Sequence, residues 1–159
     1  MQWLFDLESD GLLAEATKLH CAVAKNLESG EVVSFTPDTG FSGLLNLLEQ
    51  ATLLAGHNII GFDLPLIQKL YPNFSYSAEV RDTLVMARLM MPDTLEHDLR
   101  HKLPPKLHRK HSLEAWGHRL RCPKGAHTDF SIYSEEMLTY CIQDVEVTHR
   151  LWRYLTAQV

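Results

Sequence analysis

The chain is poor in cysteine, and the three it has are awkwardly placed. Cys21, Cys122 and Cys141 are odd in number and form no Cys-x-x-Cys pair, which argues against a disulfide framework and fits reduced thiols. Proline and glycine are also sparse, at 7 and 8 residues, which excludes a collagen-like or low-complexity chain. Long apolar runs are missing: the longest, Leu84 to Met91, is interrupted by Arg88 and falls far short of the roughly 20 residues a bilayer span needs. The first residues, Met1-Gln2-Trp3-Leu4-Phe5-Asp6, have neither a basic start nor a long apolar stretch, so no signal peptide is expected, and a cytoplasmic protein without membrane contact is. No internal repeat is present. What remains is 159 residues, 45% of them apolar, enough for one domain over residues 1–159 with a buried core.

The net charge of −5 argues at first against a polyanionic partner, but the charge is unevenly spread. Arg100, Lys102, Lys106, Arg109, Lys110, Arg119, Arg121 and Lys124 face one acid, Glu114, so residues 100–124 carry +7 and the rest of the chain −12. Such a run is either a solvated loop or a patch that contacts phosphates.

Residues 2–8 alternate as a strand does, with Trp3, Phe5 and Leu7 on one face and Leu4, Asp6 and Glu8 on the other. Two further strands are expected at 19–25 and 32–35, joined by a turn at Glu28-Ser29-Gly30-Glu31, so the first three strands form an antiparallel meander. A helix over 41–50 leads to a buried strand at 52–56. Helices follow at about 64–70, with Asp63 and Pro65 marking the start, and at 83–91, ended by Pro92. Residues 92–111, with Pro104-Pro105, read as a long surface connection. Ser112 caps the next helix, 121–133 is a loop, and Ser134 caps a last helix running to about 157. The pattern predicts an α/β fold, a mixed sheet flanked by helices.

Three anomalies carry the chemistry. Asp6 and Glu8 share one face of an apolar strand, where two like charges are unfavourable unless a cation neutralises them. In the last helix, Met137, Cys141, Asp144, Thr148, Leu151 and Leu155 trace one stripe, which Asp144 interrupts, with Tyr140 one turn before it. Asp63, before a proline-bearing helix start, reads first as an N-cap, although helix N-termini at strand ends are also where sites on α/β sheets gather.

Taken together, Asp6-x-Glu8, Asn58-Ile59-Ile60-Gly61-Phe62-Asp63 and Tyr140-x-x-x-Asp144 resemble the DEDD (DnaQ-like) superfamily of 3′-to-5′ exonucleases, in order and in spacing. Asp82-Thr83-Leu84 and His111-Ser112-Leu113-Glu114-Ala115-Trp116-Gly117 agree with it, so the likeness covers nearly the whole chain. The histidine subgroup carries its histidine five residues before the last acid; Thr139 stands there, so the chain resembles the tyrosine subgroup. Thr17-Lys18-Leu19-His20-Cys21, Leu113-Glu114-Ala115-Trp116-Gly117-His118-Arg119-Leu120 and Gln143-Asp144-Val145-Glu146-Val147-Thr148 resemble more closely the proofreading domain of bacteriophage T7-type family A DNA polymerases. The palm, fingers and thumb of such polymerases have no counterpart, so no polymerase activity is expected.

The resemblance implies a ribonuclease H-like fold, with three antiparallel strands followed by parallel ones, and two divalent ions, Mg²⁺ or Mn²⁺, which hard carboxylates select. It implies that Asp6, Glu8 and Asp144 hold the ion carrying the attacking water, that Asp6 bridges to the second, and that Asp63 binds the second through waters. Tyr140, a poor base at its reference pKa of about 10, would orient the water. Gly11 and Leu12 would border the 3′-terminal nucleotide, Asn58 and Phe62 would line its pocket, and the basic segment, Arg109 and Lys110 included, would meet phosphates. The implied partners are single-stranded DNA 3′ ends and, if the chain is a proofreading partner rather than a free nuclease, a polymerase subunit. Two rival readings are an RNA-trimming relative of ribonuclease D or oligoribonuclease type, since the acids alone do not separate DNA from RNA, and a non-catalytic nucleic-acid-binding module, which should have lost an acid.

Overall fold

The computed structural model describes residues 1–159. β1 (Gln2–Ser9) realises the alternation of its sequence and sits at the centre of a five-stranded sheet of order β3-β2-β1-β4-β5. It pairs antiparallel with β2 (Leu19–Asn26), which pairs antiparallel with β3 (Val32–Phe35). On its other side it pairs parallel with β4 (Leu53–Gly56), which pairs parallel with β5 (Glu79–Asp82). The expected mixed sheet, antiparallel for three strands and then parallel, is therefore the one observed.

The alternation puts the two faces of β1 into different cores. Trp3, Phe5 and Leu7 pack with Leu44 and Leu48 of α1 (Ser42–Gln50) and with Leu66 and Ile67 of α2 (Leu64–Leu70). Leu4, together with Cys21, Val23 and Ala55, packs against Met137, Cys141 and Val145 of the long helix α6 (Glu135–Thr156). Every member of the stripe read from the sequence of α6, Asp144 included, is buried. Because Asp6 and Glu8 follow Leu4 at two-residue steps, they reach the same face, under α6. The Ser112 and Ser134 hydroxyls cap α5 (Leu113–Arg119) and α6, accepting from Ala115 N and Met137 N at 3.2 Å each.

Three elements were not expected. β5, Glu-Val-Arg-Asp, is an edge strand on which Val80 is the one apolar residue, so it shows no alternation. Residues 92–111, expected as surface connection, contain α4 (Leu95–Arg100) and a 3₁₀ turn at Pro105–Leu107. The one buried residue of α4 is Asp98, so apolar periodicity could not announce it. α3 (Thr83–Met90) begins as expected, with Asp82 as its cap.

Between β4 and α2 the chain makes a π turn, Ile59–Asp63, in which Leu64 N donates to Ile59 O five residues back. Gly56 is what lets β4 enter it: a Cβ there would stand 2.8 Å from Phe5 O. The turn is held by Asp82, whose carboxylate accepts from Asn58 N at 2.8 Å, Ile60 N at 3.0 Å and Leu84 N at 2.9 Å. One side chain thus fixes both the π turn and the start of α3.

Candidate active site

Asp63 corrects the helix-start reading, because its side chain caps nothing. It is 3% exposed and points inward, and its Oδ2 has no hydrogen-bond partner. The π turn delivers it to the C-terminal end of β1, where Asp6 and Glu8 emerge, and α6 brings Asp144 and Tyr140 from above. The four acids are close enough for their charges to oppose one another. Burial and then the Asp144 charge push Asp6 up to about 7, with Lys124 acting against the shift. Burial, Asp6 and Asp144 push Glu8 up to about 10. Burial and the Asp6 charge raise Asp63 well above the carboxylate range. Burial raises Asp144 as well, although Lys124 works against it.

Chain segments distant in sequence have therefore placed four carboxylates in one half-dry spot. Left without a cation, such a group stays partly protonated. Two carboxylate oxygens, Asp63 Oδ2 and Asp144 Oδ1, are buried and unpaired, which is how hard-metal ligands look when their remaining coordination is supplied by an ion. The residues fit a divalent metal of the Mg²⁺ or Mn²⁺ class.

Three neighbours of the acids were not foreseen. The Cys141 thiol donates to Asp6 O at 3.6 Å and lies 3.7 Å from Asp6 Oδ2, and ligand atoms of Asp6, Glu8 and Cys141 all fall within 4.8 Å of one another. Phe130 stands edge-on to Tyr140 with ring centroids 5.9 Å apart. Lys124, counted in the sequence only as one of eight basic residues, places its Nζ 3.3 Å from Asp144 Oδ2 and 2.5 Å from the Tyr140 hydroxyl. Burial acts against its charge, but Asp144 and Tyr140 outweigh burial and hold the ammonium above its ordinary pKa. Its loop position lacks any periodic signal that could have marked it.

Leu7, Glu8, Ser9, Gly11, Leu12, Phe62 and Phe130 line a cavity of about 260 Å³ beside the acids. Gly11, Leu12 and Phe62 are thus brought to the site, with Leu12 at the rim, 75% exposed. Asn58 is exposed on the π turn with φ 62°, and its backbone amide is engaged by Asp82. The basic segment is largely matched by nearby acids. Arg119 is buried against Asp98, Arg109 Nε lies 3.6 Å from Asp93, Arg100 Nη2 lies 3.0 Å from Glu96 and Lys106 Nζ lies 3.7 Å from Glu114. Arg109 and Lys110 are exposed and make no contact with the four acids. A larger cavity, about 890 Å³, lies along the outer side of α6 among Lys25, Glu146, His149, Arg150 and Arg153, and holds none of the acids.

A mixed sheet of this order, with paired acids on its central strand, a third acid at the turn after β4 and a fourth on a helix across it, defines the DnaQ-like 3′–5′ exonuclease fold. The chain has that fold, and it is homologous to the DNA-directed DNA polymerases of Escherichia phage T7 and Enterobacteria phage T3. It is 32% identical to each over 179 aligned positions, which take in 92% of this chain and 25% of the relative. The chain thus spans about a quarter of the length of these curated relatives. No family model matches it. Among solved structures, Brucella melitensis NrnC with bound Mg²⁺ superposes with a TM-score of 0.66 at 18% identity, covering 98% of this chain and 72% of that one. The zinc-bound E. coli ExoI–ssDNA complex superposes with a TM-score of 0.57 at 16% identity, covering 98% and 42%. No helix is long and apolar enough to cross a membrane.

Proposed function

We propose that this protein is a metal-dependent 3′–5′ exonuclease that hydrolyses phosphodiester bonds at single-stranded DNA 3′ ends by a two-metal-ion mechanism, either standing alone or as the proofreading partner of a phage-type DNA polymerase. The observation that carries it is the convergence of Asp6, Glu8, Asp63 and Asp144, with Asp63 Oδ2 and Asp144 Oδ1 buried and unpaired and Lys124 joining Asp144 to the Tyr140 hydroxyl.

Asp6, Glu8 and Asp144 would hold one ion, and Asp6 with Asp63 the other. Bound there, the ions supply a water acidified toward neutral pH and positive charge for the attacking and leaving oxygens. A divalent ion held there would require Asp6 and Glu8 as carboxylates, so its binding would release protons and weaken as the pH falls. Tyr140 is raised above its ordinary pKa, chiefly by burial, so at neutral pH it is a hydroxyl that orients water rather than a base that takes a proton. The cavity between Leu12, Phe62 and Phe130 offers apolar and aromatic surface beside Glu8, where a terminal base can stack. DNA rather than RNA is favoured by the 32% identity to phage DNA polymerases.

The test is a 5′-labelled single-stranded DNA oligonucleotide and an RNA of the same sequence, each with Mg²⁺, Mn²⁺ or chelator, resolved as product ladders. DNA should shorten from its 3′ end only with metal, and faster than RNA; RNA shortened faster would reverse the substrate assignment. Asp6→Asn and Asp144→Asn should each lower the rate by more than the roughly 10–100-fold that follows loss of an outer-shell partner. Wild-type cleavage by either variant would refute the site. Tyr140→Phe should slow turnover by about tenfold, near 1.4 kcal/mol, and leave metal affinity in place.

A further inference from the structure

Lys124 reaches the acids on a loop that is secured at both ends. Cys122 N donates to Gly117 O at 2.9 Å, and Gln143 Nε2 of α6 donates to Pro123 O at 2.8 Å. Gly117 leaves room for this return, since a Cβ there would crowd it at 3.0 Å from Cys122 O and 3.2 Å from Lys124 N. Downstream, Phe130 packs its edge on Tyr140, and Phe130 O lies 2.8 Å from Nε2 of the buried His20. The ammonium at the end of this device sits 4.6 Å from the Tyr140 ring centroid and donates to both the Tyr140 hydroxyl and Asp144 Oδ2. No other lysine, arginine or histidine forms an ion pair with any of the four acids.

One oxygen of Asp144 is therefore occupied by a cation, while its other oxygen is buried and unpaired. A divalent ion bound by Asp144 and the Lys124 ammonium draw on the same negative charge, and a few ångströms inside a protein two such cations repel strongly. The Tyr140 hydroxyl has no such conflict. It is neutral, and by accepting from Lys124 it leaves its own proton free to be donated.

We propose that Lys124 is the built-in counter-ion of the metal-free site, that divalent metals displace it from Asp144 but not from Tyr140, and that metal affinity is set by this competition. The inference rests on the exonuclease reading above. It makes Lys124 a positioning residue with two opposed effects: it weakens metal binding, and it orients the hydroxyl that the reaction uses.

The test titrates Mn²⁺ alone, without nucleic acid, into the wild-type chain and into Lys124→Gln and Lys124→Arg, by calorimetry and by melting with and without chelator. Lys124→Gln should bind Mn²⁺ roughly tenfold more tightly, because the competing charge is gone. In chelator it should melt about 3–6 °C lower, because the acids have lost their cation. At saturating metal its turnover should fall, whereas Lys124→Arg should keep wild-type affinity. Equal or weaker Mn²⁺ binding by Lys124→Gln, or tighter binding by Lys124→Arg, would overturn the proposal. A measurement on the wild-type chain needs no variant to fold: the ¹⁵N resonance of the Lys124 ammonium in chelator should shift on saturation with Mg²⁺, and an unmoved resonance would overturn the proposal too. If the wild-type chain binds no Mn²⁺, the exonuclease reading itself fails and this inference with it; if it binds and the glutamine variant binds no better, only the inference fails.

Discussion

Asp98 and the Asp6 cluster are both buried acid, and they are treated in opposite ways. Asp98, fully buried, accepts from Arg119 Nε at 2.8 Å, Arg119 Nη2 at 3.0 Å, Thr94 Oγ1 at 2.8 Å and Arg109 N at 2.9 Å. Burial alone would raise its pKa, but Arg119, the Arg109 amide and Thr94 hold it well below the carboxylate range. Asp6, Glu8 and Asp144 share the influence of one lysine, and these three and Asp63 are all raised. A carboxylate buried for architecture has its lone pairs matched by the chain itself. Carboxylates buried for chemistry are left with capacity that only something from outside can fill.

The contrast can be broken most forcefully at Arg119. Arg119→Met leaves Asp98 charged and buried without its counter-charge, and should destabilise the fold by about 3–5 kcal/mol. That is a melting temperature lower by about 10 °C, with metal affinity unchanged in the folded fraction. A loss of under about 1 kcal/mol would mean that Asp98 is no better satisfied than the cluster.

The opposite sign is expected among the four acids. Glu8→Gln removes a carboxyl whose ionised form burial and two neighbours oppose on folding, so in chelator at neutral pH the variant should melt about 2–4 °C higher while losing cleavage. A fall of many degrees would show that Glu8 is as architectural as Asp98. The pH dependence follows the same division. Asp6 and Glu8 are raised on folding, so in chelator their stabilising contribution is full below about pH 4 and is lost as the pH rises through about 7 and on toward about 10. Saturating Mg²⁺ should flatten that decline. Asp98 is lowered, so its contribution is present above about pH 4 and is lost only as the pH falls below it. Melting followed from pH 3 to 9, with and without metal, separates the two.

The smallest effect belongs to the exposed cations. If Arg109 and Lys110 meet phosphates, replacing both with alanine should flatten the salt dependence of single-stranded DNA binding, each phosphate contact being worth roughly 0.7 in log K per log salt. An unchanged slope would assign them to the surface pairing already visible between Arg109 and Asp93.

Much of this was legible in the chain. Asp6 and Glu8 could be placed on one face because alternation has a period of two, and Asp144 was marked as the polar break in a buried helical stripe. Asp63 was legible only through its company, since the residues around it also spell a helix cap that the π turn does not form. β5 and α4 were missed because neither buries a patterned apolar face. The basic run was visible, but its partners were not. Asp93, Glu96 and Asp98 lie just upstream of it and take up Arg109, Arg100 and Arg119, while Lys124 goes alone to the acids from 20 residues away along the chain. Contacts made by loops leave no period to read.

The π turn at Ile59–Asp63 carries one residue more than the α-helical turn it stands in for. Deleting Gly61 would let the chain run into α2 by ordinary helical bonding, with Pro65 still near the helix start. The deletion would also rotate everything before it by about 100° relative to α2. Asp63 would remain in the sequence, next to the same leucine and proline, and swing away from Asp6. The place of the fourth acid is thus fixed by counting: an alignment that tolerates a one-residue gap here would credit a relative with a complete site that its backbone cannot assemble.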